Sequence, residues 1–284
     1  MHHWQVRDRV LHIGPRALVM GIVNVTPDSF SDGGQFAQID AAVSHAVDLV
    51  RQGADILDIG GESTRPGATP VPADEELRRV LPVVTALVSQ TSVPLSIDTS
   101  KAAVAQQCLA AGAHIINDVT ALANPAMIDL VKQFYAGAIL MHLQGTPATM
   151  QQNPHYENVT DEVARWLENR LREVCAAGVA PDNLVLDPGI GFGKRHAHNL
   201  ELLVRLPELQ RLGRPICLGA SRKGFIGKIT GRTVQESLAG SVAVACHALA
   251  KHAVQILRVH DVAATHDAVL MFEALAETKV RLLQ

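Results

Sequence analysis

Cysteine is sparse here: four in 284 residues, at 108, 175, 217 and 246. No CxxC pair and no Cys/His cluster occurs, which argues against a disulfide scaffold and a structural zinc site. The four read as reduced core thiols of a cytoplasmic protein. Neither sign of charge dominates, because 25 basic side chains face 28 acidic ones for a net charge of −3. Without a basic stripe or a polybasic arm, nucleic acid and membrane surfaces are not expected partners. No run of roughly 18 apolar residues is present to span a bilayer. Residues 1–14 carry His, Arg and Asp instead of the apolar run of a signal peptide. His2 and His3 are read as exposed terminal residues, not as metal ligands. Repeats, linkers and low-complexity tracts are missing, so a single domain over 1–284 is expected.

Apolar residues are plentiful. They make up 48% of the chain against 19% charged, enough to build a large core and to argue against disorder. They fall in short continuous runs at 17–25, 55–60, 93–99, 114–119, 137–142, 184–187, 215–219 and 255–260. Runs rich in Ile, Leu and Val without alternation suit parallel strands buried on both faces. Between them lie longer amphipathic stretches at 40–52, 74–89, 100–111, 125–134, 158–177, 199–212, 234–251 and 262–279. Eight strand–helix units in this length predict a (β/α)8 barrel of the TIM type, in the α/β class. An open doubly wound sheet would usually show GxGxxG after its first strand. The first strand here ends in Asn24-Val-Thr-Pro-Asp. Residues 5–13 are predicted to form a short hairpin that plugs the barrel floor.

Nearly every predicted strand closes on a polar residue: Asn24, Asp58, Asp98, Asn117, His142 and Asp187, then Lys223 beyond the seventh strand, Arg258 and His260. An Asp at such a place often caps the next helix, and Asp98, followed by Thr99 and Ser100, is the most plausible cap. Caps do not account for Lys223, Arg258 or His260. Buried charges are costly unless paired, so their convergence on one barrel mouth implies a polar ligand. One carboxylate can hold the amino and ring N–H edge of a planar heterocycle with two parallel bonds. Asp187 suits that edge, with Asp98 and Asn117 on other ring atoms and Lys223 on a ring carbonyl. A 2-amino-4-oxo pterin satisfies this set. Strand alternation turns Arg258 and His260 to the same side, a cationic pair fit for pyrophosphate. Asn24, their neighbour once the barrel closes, could offer an oxygen to Mg²⁺. The glycine-rich 187–194 stretch, DPGIGFGK, lacks GxxxxGK[ST] and is not a P-loop.

The stretches MGIVNVTPDSFSDGG at 20–34, DIGGESTRPG at 58–67, SIDT at 96–99, IND at 116–118, DPGIGF at 187–192, GASRK at 219–223 and RVHD at 258–261 stand in order along the chain. In this combination the sequence resembles the dihydropteroate synthase family, from about residue 17 to residue 261. The resemblance implies a Mg²⁺-dependent transferase of folate biosynthesis. It would join 6-hydroxymethyl-7,8-dihydropterin diphosphate to p-aminobenzoate and release pyrophosphate. By motif position, Asp98, Asn117, Asp187 and Lys223 would hold the pterin, Val119 and Met141 would line its pocket, and Arg258 would lie against its face. Asn24, Arg258 and His260 would take the pyrophosphate, with Asn24 on the metal. Thr64, Arg65, Pro66, Phe192, Ser221 and Phe30 would shape the aminobenzoate site, and Asp32 would sit on a loop that closes over the reactants. Sulfonamides mimic aminobenzoate in this family. Gly224 departs from relatives that carry a larger or hydroxyl-bearing residue there. Homodimers are usual in the family, and Val242, Val244, Ala245 and Ala248 could supply an apolar patch, although covering the barrel is their simpler use. Methyl transfer from a methylated folate and non-catalytic pterin binding are the alternatives. The complete first two motifs and the set Asn24, Arg65, Lys223, Arg258 and His260 weigh against both.

Overall fold

The computed structural model describes residues 2–26, 35–63 and 68–282. Ten strands and nine α-helices occur among them. Strands β1 (His2–Val6) and β2 (Arg9–Ile13) form an antiparallel hairpin, with His2 opposite Ile13. The next strands are β3 (Leu18–Asn24), β4 (Ile56–Gly60), β5 (Leu95–Asp98) and β6 (Ile115–Asp118). They are followed by β7 (Gly137–Met141), β8 (Leu184–Asp187), β9 (Cys217–Leu218) and β10 (Ile256–Val259). These eight pair in parallel in the order β8-β7-β6-β5-β4-β3-β10-β9. A bridge between Leu186 and Ile216 closes the ring. The predicted barrel is therefore the observed one, each strand lying inside its predicted run.

The helices are α1 (Gln35–Arg51), α2 (Ala73–Gln90), α3 (Ala102–Ala110), α4 (Pro125–Phe134) and α5 (Val159–Ala176). Then come α6 (His196–Val204), α7 (Gly224–Thr230), α8 (Leu238–Ala250) and α9 (Val262–Leu282). Two predicted helices are corrected. The stretch 199–212 divides into α6 and a 3-10 turn at Leu206–Leu212, because Pro207 lacks an N–H and disfavours α geometry in the residue before it. The region 224–250 holds two helices, α7 and α8, where one was predicted at 234–251. The short α7 lacks the length for a clear 3.6-residue period.

Two apolar regions hold the barrel. The larger lies between strands and helices and includes Val19, Leu57, Ile97, Ile116, Leu140, Leu186 and Leu257. The smaller lies inside the barrel, where Met20, Ile56, Ile115, Ile139, Val185, Cys217 and Ile256 meet Trp4, Val6 and Ile13 of the hairpin. A hairpin plugs the floor as predicted, but it spans 2–13 instead of 5–13, with Trp4 fully buried and its Nε1 donating to the Asn183 carbonyl at 2.9 Å. Each such large side chain contributes about 1.5–3 kcal/mol on burial.

Side chains alternate across a strand, so two residues beyond each member of this inner layer the chain turns inward again. Those positions are Ile22, Asp58, Asn117, Met141, Asp187, Gly219 and Arg258. The barrel interior thus passes in a single step from an apolar floor to a polar layer at its C-terminal mouth.

Candidate active site

Arg258 organises the polar layer. Its Nε donates to Asp58 Oδ2 at 2.6 Å and its Nη2 to Asp98 Oδ2 at 2.6 Å. Asn117 Nδ2 donates to the same Asp58 oxygen at 3.0 Å. Burial disfavours the guanidinium charge, but Asp58 and Asp98 raise its pKa above the ordinary arginine value. For Asp98, burial pushes the carboxyl well up; Arg258 opposes this, and Asp58 reinforces it. Asp58 is completely buried, and its Oδ1 has no hydrogen-bond partner. A buried acceptor left unpaired costs about 1–3 kcal/mol. Asp98 is no helix cap: α3 starts at Ala102, and Thr99 Oγ1 takes the Lys101 N–H at 3.2 Å.

Asp187 ends β8 beneath the same mouth. Its Oδ1 accepts the Gly189 N–H at 2.7 Å. Burial raises its pKa, against the pull of that N–H, Lys223, Arg258 and Lys194. Lys223 Nζ stands 4.0 Å from the centre of the Phe192 ring, a cation–π approach. Val119, Met141 and Phe192 pack with Met150 in one apolar cluster. Phe192, predicted at the aminobenzoate end, therefore shares a wall with the two predicted pterin-lining residues.

Above this layer opens a cleft of about 770 Å³, lined by Asn24, Asp98, Phe192, Ser221, Lys223, Arg258 and His260 among others. Arg258 and His260 do face inward together, as alternation predicts. The pair is not doubly cationic in the free protein, because burial, with Arg258 and Arg222 nearby, pushes His260 down to about 4. His260 is thus a neutral imidazole near pH 7. Ser221, predicted against aminobenzoate, contacts it, with Oγ 3.2 Å from Nδ1 and 3.3 Å from the His260 N–H nitrogen. Arg222 is held by both oxygens of Asp261, at 3.0 and 2.6 Å. Gly224 opens α7 at the cleft rim, and no atom lies within 4 Å of where a Cβ would stand. A larger residue at 224 would meet open space.

Phe30, Asp32, Thr64, Arg65 and Pro66 lie outside the described residues. The flanks of the second loop are tied down: Glu62 Oε1 accepts the Val71 N–H at 2.9 Å, and Lys101 binds both Glu62 and Glu76. A second depression of about 570 Å³ lies at the opposite end of the barrel. There Arg7 is already engaged by the carbonyls of Leu109 and Ala113, both at 2.8 Å. The C-terminal mouth is where barrel enzymes place their chemistry.

Sequence reasoning placed Asp58 at a strand end but gave it no role; the signal was its position at the head of the 58–67 motif. It also passed over the buried Lys194 and its contact with His142, since neither spacing nor periodicity brings 142 and 194 together. Asp118 stands in the sequence only as the last residue of the 116–118 motif. It holds the Thr120 and Leu122 N–H groups and so sets the turn after β6.

Comparison with known proteins agrees with this geometry. Residues 20–260 match the family model described as pterin binding enzyme. The dihydropteroate synthase of Neisseria meningitidis serogroup B is 50% identical over 264 residues, covering 90% of this chain and 92% of that protein. The crystal structure of Yersinia pestis dihydropteroate synthase with a sulfonamide drug complex superposes with a TM-score of 0.91 at 45% identity, covering 97% and 99% of the two chains. Xanthomonas albilineans dihydropteroate synthase in complex with 7,8-dihydropteroate gives a TM-score of 0.86 at 47% identity, covering 95% and 97%. With a whole-length match of sequence and barrel, and a polar mouth built from the motif residues, the chain belongs to the dihydropteroate synthase family, the pterin-binding transferases of folate biosynthesis.

Proposed function

We propose that the cleft joins 6-hydroxymethyl-7,8-dihydropterin diphosphate to p-aminobenzoate by a dissociative displacement, and that the residues around Arg258 carry it. The supporting observation is the convergence of Asp58, Asp98, Asn117 and Arg258 in one hydrogen-bonded layer, with Asp187 and Lys223 beside it. In this reading Asp187 holds the amino and ring N–H edge of the pterin with two parallel bonds. Asn117 and Lys223 address other ring atoms, and Val119 and Met141 line the ring's pocket. The ring enters beside Arg258, whose guanidinium lies against its face.

Pyrophosphate leaves from the exocyclic CH₂. The carbocation left behind is delocalised into the electron-rich dihydropterin and stabilised by the Asp98 carboxylate, with Asp32 added by its motif position. The aminobenzoate nitrogen attacks that carbon directly. No covalent nucleophile is involved, and no strong general base is needed, because the aniline nitrogen becomes acidic as it attacks and its proton passes to water or to the departing pyrophosphate. Arg258 and His260 hold the departing diphosphate. Phe192 and Ser221, with Thr64, Arg65, Pro66 and Phe30 by their motif positions, shape the aminobenzoate end.

Asn24 and His260 line the same cleft, and an amide oxygen is a hard donor of the kind Mg²⁺ takes while it keeps most of its ligands as water and substrate phosphate oxygens. When bound on Asn24, Mg²⁺ would supply charge neutralisation to the diphosphate.

The test is pyrophosphate release measured with and without p-aminobenzoate, on the wild type and on Arg258→Ala. Release that depends on both substrates, falling about 100- to 1000-fold in the variant, is the expected result. Near-wild-type turnover in a folded Arg258→Ala protein overturns the assignment of Arg258. The expected state is a cytoplasmic homodimer. Among the described residues no helix is long and apolar enough to cross a membrane.

A further inference from the structure

Lys194 is buried, 2% exposed, at the end of the glycine-rich loop that follows β8. Its Nζ lies 2.9 Å from His142 Nδ1, 2.9 Å from the Phe192 carbonyl and 3.4 Å from the His142 carbonyl. All three contacts are acceptors for a charged ammonium, and none is a carboxylate. Around it the loop presses against the chain leaving β7. A Cβ on Gly189 (φ +66°) would stand 2.0 Å from the His142 carbonyl oxygen, and one on Gly193 (φ +61°) 2.5 Å from that of Gln144. Only glycine allows this backbone approach, and Lys194 fastens it. The same loop carries Phe192, under Lys223, and supplies the Gly189 N–H that binds Asp187.

We propose that Lys194 is a positioning residue of the pterin subsite: its Nζ ties the glycine-rich loop to the chain leaving β7, and so holds the Gly189 N–H on Asp187 and Phe192 beneath Lys223. This rests on the assignment of the pterin to Asp187 made above.

Burial pushes Lys194 down to about 7, against the attraction of Asp187 and with the repulsion of Lys223. The other titratable groups facing it are His142 just after β7, Tyr156 before α5 and His198 on α6. Burial pushes His142 down to about 2, lowers His198 and raises Tyr156. None of the three changes charge between about pH 7 and pH 9. Arg195 points away, to Asn153. Because the folded pKa of Lys194 is depressed, its charge opposes folding below about pH 7, and that cost disappears as pH rises toward the unfolded value. Lys194→Met is therefore expected to fold.

Calorimetric titration with 6-hydroxymethylpterin at about pH 6.5, where the ligand keeps its ring N–H, tests the proposal. Lys194→Met should bind the pterin about tenfold more weakly while the KM for p-aminobenzoate stays at its wild-type value, and Lys194→Gln, one atom shorter but still a donor, should fall between the two. Lys194→Met binding the pterin as the wild type overturns the proposal. Should Lys194→Met not fold, wild-type pterin affinity in Lys194→Gln overturns it equally. Asp187→Asn separates the two readings. Undiminished pterin binding in that variant refutes the pterin assignment itself, whereas lost binding there with an unchanged Lys194→Met refutes only the role of Lys194.

Discussion

At Arg258 one guanidinium serves two carboxylates, and Asp58 in turn serves both Arg258 and Asn117. Removing one member of a buried charge network leaves the others unpaired, at a cost of about 3–5 kcal/mol. Asp58→Ala should lose stability on that scale in urea unfolding. It should also lose turnover well beyond the unfolded fraction, because Arg258 and Asn117 are no longer aligned; full activity in the folded fraction would show that Asp58 is structural only. His260 gives a second measurement. Its folded pKa lies below the ordinary histidine value, so the ring stays neutral until pH falls toward about 4. Bound pyrophosphate favours the imidazolium and moves the midpoint up. Titration of the ring carbon resonances by NMR should give a midpoint near 4 in the free protein and a higher one with pyrophosphate, and no shift on adding pyrophosphate would remove His260 from that subsite. These residues were legible in sequence as polar ends of apolar runs. Their partners were not, since Asp58 and Arg258 stand 200 positions apart and only barrel closure makes them neighbours.

At the scale of elements, each of the eight barrel strands lay within its apolar run, because a parallel strand covered on both faces leaves an unbroken hydrophobic signature. Helix ends were harder to read, because their signals are local and compete. Pro207 stops α6 from continuing through 212, and the seven residues of α7 lack a clear period. The hairpin is the element least demanded by the barrel pattern, yet it seals the floor. Trp4→Ala should cost about 3–5 kcal/mol, the range for large aromatic side chains in a core. Because Trp4 sits at the opposite end of the barrel from Arg258, kcat per folded molecule should be unchanged; urea midpoints and active-site titration check both. A loss of kcat alone would mean that the floor and the mouth are mechanically linked.

Across the whole molecule, Ala245 and Ala248 turn inward to cover the barrel, so they add nothing to an exposed patch. A group of exposed apolar residues lies instead on α9 and at the start of α8. Met271 and Leu275 are 59% and 60% exposed, with Leu238 and Leu270 at 43% and 44%. Met271 and Leu275 are one helical turn apart and form an outward stripe, opposite the buried Val262 and Val269. If this face joins two copies, Met271→Asp with Leu275→Glu should halve the mass found by sedimentation equilibrium and leave the fold intact. An unchanged dimer would place the interface elsewhere.

The amino-acid order alone settled the class of fold and the identity of the polar mouth. Buried parallel strands must be continuously apolar, and a charge at the end of such a run must meet a partner or a ligand. Which charges meet depended on the pairing of the last strand, β10, with the first, β3, beside β4 and β5, which brings Arg258 against Asp58 and Asp98. The charge states of His260 and Lys194 were likewise decided in three dimensions. Desolvation depends on what surrounds a group on all sides, and a linear chain specifies its neighbours on only two.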